Sequence, residues 1–178
     1  MKHPNAKGRT SRVLKTFSER HRRYLAAVLR EIKQFYRENL LGLAIFGSYA
    51  RQENRLNSDL DLLIILEKAP GLSCRLEEFV EHVEMKHEAL AQEMYEQEGI
   101  FCELSPYILT LEEALKLQSI YFDLVDHHLI LYDPRGLLAR IISSTRKFLE
   151  QAGAKKEREG NTWEWDITKF GFSGGVEL

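Results

Sequence analysis

Two cysteines in 178 residues, Cys74 and Cys102, are too few for a disulfide framework. Cys102 lies in an apolar run and reads as a small buried hydrophobe; Cys74 reads as incidental at a helix start. Long apolar runs are also missing. None approaches the roughly 20 residues that a membrane-spanning helix needs. Met1 to Arg12 is basic but no apolar stretch follows it, so it does not read as a secretory signal, and the cytoplasm is the expected compartment. No internal repeat or low-complexity segment is visible. What is present is 44% hydrophobic and 29% charged, the composition of a soluble globular chain, at a length that suits one domain with a sizeable core.

Acid is scarce at the N-terminus. Through residue 23, Glu19 stands alone against Lys2, Lys7, Arg9, Arg12, Lys15, Arg20, Arg22 and Arg23, whereas the remainder has 17 basic residues against 26 acidic. Such an arm can contact nucleic acid, an acidic partner or its own body, or be a frayed, solvated terminus. Without interleaved aromatics it is a weak nucleic-acid signal. The expected division is a basic arm over 1–15 and one domain over 16–178, with a core to about 153 and a tryptophan-containing extension over 154–178.

Periodicity supplies the elements. Thr16-Phe17-Ser18-Glu19 has the capping-box pattern, and Tyr24, Leu25, Val28, Leu29, Ile32, Phe35 and Tyr36 recur at helical spacing to about Glu38. Leu41–Phe46 and Asp59–Leu66 read as buried strands, with a short helix after Ser48. Beyond the Pro70-Gly71 break, one acidic helix is expected from about Ser73 to Gln97, stopped by Gly99. Ile100 to Leu109 reads as a third strand, and Thr110 to Glu113 as a second capping box opening helical structure through Asp126. A short strand over His127–Tyr132 and a helix over Leu137–Leu149 complete the core. Trp163 and Trp165 alternate onto one face, fit to pack on the body or dock a partner. The fold class expected is α/β (α+β), a mixed β-sheet flanked by helices in one layer pair.

The chain is organised around residues 43–65. An apolar run ends at Gly47-Ser48; ten residues later Asp59-Leu60-Asp61 opens a second apolar run. Residues i and i+2 of a strand share a face, so Asp59 and Asp61 project together as a hard oxygen site suited to Mg²⁺. Gly47 permits close backbone approach, and Ser48 offers an amide and a hydroxyl to an anion. Arg51 either touches phosphate or pairs with Glu53. Glu103 is a lone acid in an apolar strand, costly without a partner. A cation held by Asp59 and Asp61 would supply one. Alternatively Glu103 faces solvent from an edge strand, as Pro106 allows.

Gly47-Ser48 followed by Asp59-Leu60-Asp61 resembles the signature of the DNA polymerase beta-type nucleotidyltransferase superfamily. Ala50-Arg51, and Asn57-Ser58 before the first Asp, resemble its minimal prokaryotic branch. The tail from Gly160 to Asp166 is similar to a segment of some of these proteins. The resemblance covers most of the chain from about Phe17. It implies a polymerase-beta-like palm core, with two Mg²⁺ on Asp59 and Asp61 and ATP as substrate. It also implies Gly47, Ser48, Arg51 and Ser58 at the nucleotide, and Glu103 as a third catalytic and metal-holding carboxylate, where the family more often has Asp.

The activity implied is Mg²⁺-dependent transfer of a nucleoside monophosphate, AMP from ATP first of all, to a hydroxyl. The resemblance points to a small helical partner of the HEPN toxin type as acceptor, with this chain as antitoxin. Transfer to a small molecule such as an aminoglycoside is the alternative. The chain looks short for that, although a homodimer can also form an acceptor pocket. A docking antitoxin without turnover and an RNA-modifying enzyme are further readings. No membrane association is expected.

Overall fold

The computed structural model describes residues 14–159 and 162–166. Most of the basic arm, Gly160 and Asn161 of the tail, and the indoles of Trp163 and Trp165 lie outside the described residues. Helix α1 (Glu19–Tyr36) begins at Ser18, whose hydroxyl accepts from the His21 amide. Thr16 is not the cap that the sequence pattern indicated. A serine two residues closer to the apolar stripe fits the register of Tyr24, Leu25, Val28 and Ile32, and that buried stripe fixes where the helix starts.

Strand β1 (Leu40–Ile45) follows, then the single-turn helix α2 (Gly47–Arg51) and strand β2 (Leu60–Leu66). Both strands are buried along almost their whole length, because helices cover both faces of the sheet. The expected single layer pair is therefore three layers. Leu43, Ile45, Leu60, Leu62 and Ile64 meet α1 and its neighbours on one face. Ala44, Phe46, Leu63 and Ile65 meet the C-terminal helices on the other.

The long acidic helix expected over 73–97 is broken. It consists of α3 (Leu72–Phe79), a π-type turn over Val80–Glu84, a 3₁₀ turn over Met85–His87, and α4 (Glu88–Glu98), closed by Gly99 at φ +65°. Strand β3 (Leu104–Thr110) starts four residues later than expected, so Glu103 precedes it. The capping box at Thr110 is present, with Thr110 and Glu113 exchanging side-chain bonds to each other's amides at the start of α5 (Leu111–Ala114). Then come α6 (Ile120–Asp126), β4 (Leu129–Tyr132) and α7 (Leu137–Gln151).

The sheet order is β3-β2-β1-β4. Strand β1 is antiparallel to β2 and β4, and β2 is parallel to β3. A separate antiparallel hairpin joins β5 (Lys155–Glu159) and β6 (Thr162–Asp166). Edge strand β3 is blunted against further pairing. Pro106 has no N–H, the Ile108 carbonyl accepts from Arg75, and the Thr110 amide donates to Glu113. No described helix is long and apolar enough to cross a membrane.

Candidate functional site

Two central strands meet the site at one end of the sheet. Strand β1 ends at Ile45 and the chain turns at Gly47 with φ +64°. Strand β2 begins beside it, the Phe46 amide donating to the Asp61 carbonyl at 3.2 Å. A β-carbon on Gly47 would lie 1.9 Å from Oδ2 of Asp61 and 2.8 Å from its carboxyl carbon. The Asp61 carboxylate thus occupies the space that any other residue at position 47 would fill. Glycine is required here twice, by conformation and by contact.

Asp59 stands exposed just before β2, two residues from half-buried Asp61, on the face that carries Leu63 and Ile65. Burial and, next, the Asp59 charge push the Asp61 carboxyl up to about 6; Arg51 opposes this, and Asp123 adds to it. A partly desolvated carboxylate beside a second one is the electrostatic condition that a bound cation relieves. The hard oxygen donors and the Gly47 cradle fit Mg²⁺.

Glu103 is next to this pair by register, since Leu60 aligns with Leu104 and the Leu60 amide donates to the Glu103 carbonyl at 2.7 Å. Its exposed side chain acts electrostatically on Glu84, in the π-type turn. Among the described residues, no three His, Cys, Asp or Glu side chains are close enough together to hold a metal ion. The site brings Asp59, Asp61 and Gly47 together and leaves Glu103 at its rim.

Of the two readings of Arg51, the pairing with Glu53 is present, its Nε donating at 3.0 Å, and the guanidinium also acts on Asp61. Ser48 lies in the first turn of α2, and its carbonyl accepts from the Glu53 amide. Ser58 accepts from the Arg55 amide at 2.8 Å, which shapes the turn before Asp59.

A buried polar cluster supports the site from below, and sequence reasoning missed most of it. The Tyr49 hydroxyl of α2 lies 3.0 Å from His21 Nε2 and donates to Cys102 Sγ at 3.3 Å. Cys102 is thus an acceptor as well as a hydrophobe. Buried Asn54 is tied to Lys15, its side-chain amide donating to the Lys15 carbonyl and its own carbonyl accepting from Lys15 Nζ. These contacts lock α2 and the residue before Glu103 onto α1. The one available signal was His21 and Tyr49 falling on otherwise apolar stripes. Asp123 of α6 was missed too, because nothing in sequence relates it to residue 61.

A family model for the nucleotidyltransferase domain matches residues 25–159. No curated protein gives a significant match. Among solved structures, the chain is similar to spectinomycin adenyltransferase AAD(9) from Enterococcus faecialis, solved with ATP and spectinomycin. The TM-score is 0.52 at 12% identity, covering 74% of this chain and 66% of that one. Two toxin–antitoxin structures align at lower scores. One, with AMP-PNP, gives 0.41 at 14% identity over 71% of this chain and 90% of the other. The second, a tri-AMPylated HEPN toxin of Shewanella oneidensis with its MNT antitoxin, gives 0.39 at 14% over 73% and 92%.

Proposed function

The chain belongs to the nucleotidyltransferase domain family, and from that premise we propose that it moves AMP from ATP to a hydroxyl on a partner protein, with Mg²⁺ on Asp59 and Asp61. The observation that carries this reading is the Asp61 carboxylate seated against Gly47, next to Asp59. Two neighbouring carboxylates beside a glycine turn at a strand end support a cation site next to a triphosphate. The ATP-bound structure of similar fold is consistent with adenine nucleotide.

Bound Mg²⁺ would neutralise triphosphate charge and align the attacking and departing oxygens. The chain's own groups do the rest. In this reading the Gly47 and Ser48 amides would hold the departing phosphates, with Arg51 adding positive charge. Glu103, at the rim on the segment entering β3, is assigned to the acceptor side, where it would help hold the metal and so promote loss of the acceptor hydroxyl's proton. Positioning and charge neutralisation account for catalysis without a covalent intermediate. The partner, on the sequence resemblance, is of the small helical HEPN type, and cytoplasmic location follows from that role. Transfer to an aminoglycoside is the second reading, favoured by the fold shared with the spectinomycin enzyme.

The test is transfer of label from α-³²P-ATP, with Mg²⁺, into the protein encoded next door and into spectinomycin, for wild type and Asp59→Asn/Asp61→Asn. A labelled protein band that disappears in the double variant supports the proposal. Label in spectinomycin moves the acceptor, and label that survives the double variant overturns the site assignment.

A further inference from the structure

The two loops that lead into the site carry an exposed apolar cluster that the transfer chemistry does not use. Leu56 precedes Asp59 by three residues, and Phe101 precedes Glu103 by two. The Phe101 amide donates to the Leu56 carbonyl at 2.7 Å, so the loops run side by side. Tyr95, from the last turns of α4, meets Phe101 edge-on with ring centroids 6.0 Å apart. Leu56 is 46% exposed, Tyr95 53% and Phe101 49%. Two aromatic rings in contact and a leucine on the adjoining loop, all about half in water at the mouth of a site, mark a surface that something covers.

The charges around the cluster indicate what covers it. Glu103 and Glu88 both act on the Glu84 carboxyl, so three carboxylates stand near one another beside these loops. Glu88 and Tyr95 are seven residues apart on α4 and share a side of that helix. The neighbouring cations are engaged elsewhere. Arg20 is held by Glu93, Gln97 and Glu98, Arg51 by Glu53, and Lys86 by Glu31. Arg55 is an exposed cation of the loop before Asp59, against Asp59, Glu84, Glu88 and Glu103.

We propose that Leu56, Tyr95 and Phe101 form the docking platform for the acceptor, a protein segment that carries apolar and basic side chains around its reacting hydroxyl. This rests on the transfer reading above and assigns the acceptor's chemistry. A segment on this platform buries its apolar side chains on the cluster and sets its cations against Glu84 and Glu88. Its hydroxyl then lies between the loops, within reach of Asp59 and Glu103. A polar cationic sugar would satisfy the acids but leave the three apolar side chains wet. A platform of aromatic anchors rimmed by charge is the usual composition of a protein-binding hot spot.

The probe is a synthetic 18-residue amphipathic peptide of leucine and lysine with one serine and one tyrosine. Its counterpart has glutamate for lysine. Affinities are measured by fluorescence anisotropy for wild type and Leu56→Ser/Phe101→Ser, a variant that keeps every carboxylate. Mg²⁺–ATP binding is followed in parallel by calorimetry, and oligomeric state by sedimentation velocity. The expected result is that wild type binds the lysine peptide and not the glutamate peptide, and labels it from α-³²P-ATP. The double-serine variant binds it at least tenfold more weakly, with unchanged Mg²⁺–ATP affinity. Equal binding by the variant means attraction by charge alone and overturns the proposal. So does absent binding by wild type, as when a terminal segment of the chain itself occupies the cluster, or a wild-type dimer that the variant dissolves. A wild type that fails to bind Mg²⁺–ATP instead overturns the parent reading, which the peptide affinities alone would not reveal.

Discussion

The half-buried carboxyl of Asp61 costs the fold stability at the place proposed for the cation. That carboxyl is pushed up to about 6, first by burial and then by Asp59. A carboxyl raised in the folded state contributes stability that is complete below its unfolded value, near 3.8, and is lost as pH rises through about 6. Asp61→Asn should therefore abolish transfer and yet stabilise the metal-free protein at pH 7 to 8 by about 1–2 kcal/mol. Urea denaturation of both proteins at pH 7.5 and pH 4 checks this; the difference should shrink towards zero at the acid end. Gly47→Ala acts on the same contact from the other side. Its methyl group has no space against Asp61, and φ +64° is adverse for alanine, so the strain is ~1–2 kcal/mol. The variant should fold but bind Mg²⁺–ATP at least tenfold more weakly by calorimetry. Both Asp residues and Gly47 were legible in the sequence, because their spacing is local. His21, Tyr49 and Asn54 were not, because a buried polar cluster is assembled from three separate segments.

At the scale of elements, the Arg75–Glu113 contact joins α3 to the start of α5 across the end of the edge strand. The nearly buried Arg75 guanidinium bonds both Glu113 oxygens and the carbonyls of Pro70 and Ile108. Those bonds, with the Thr110 amide, hold the Glu113 carboxyl down to about 2. A depressed carboxyl gives stability that is present above its unfolded value of about 4.5 and is lost as pH falls towards 2. Glu113 is part-exposed, so solvent screening reduces the gain. Arg75→Met should cost about 2–3 kcal/mol at pH 7, through unpaired carbonyls and a lost ion pair. It should also flatten the acid limb of the stability curve between pH 4.5 and 2, read by thermal melts across that range. The helix break over Val80–His87 was not legible. It contains no glycine or proline to announce it, and it coincides with Phe79 and Val83 being buried in the core shared with α1.

At the scale of the whole molecule, a ligand that binds only the folded site stabilises by mass action, by about 2.7 kcal/mol at a hundredfold excess over Kd. For a domain of this length that raises Tm by about 5–10 °C. Mg²⁺–ATP should give such a shift in wild type and none in Asp59→Asn/Asp61→Asn, by scanning calorimetry. The sequence alone determined the signature, the two central strands and the apolar stripe of α1, since each rests on spacing within one segment. The tertiary structure decided the third layer of helices, the position of Glu103 outside β3, and the neighbourhood of Asp123. It also decided the exposed cluster of Leu56, Tyr95 and Phe101. Those depend on which distant segments the sheet order brings to one edge, and pairwise contact between segments leaves no periodicity for a sequence to display.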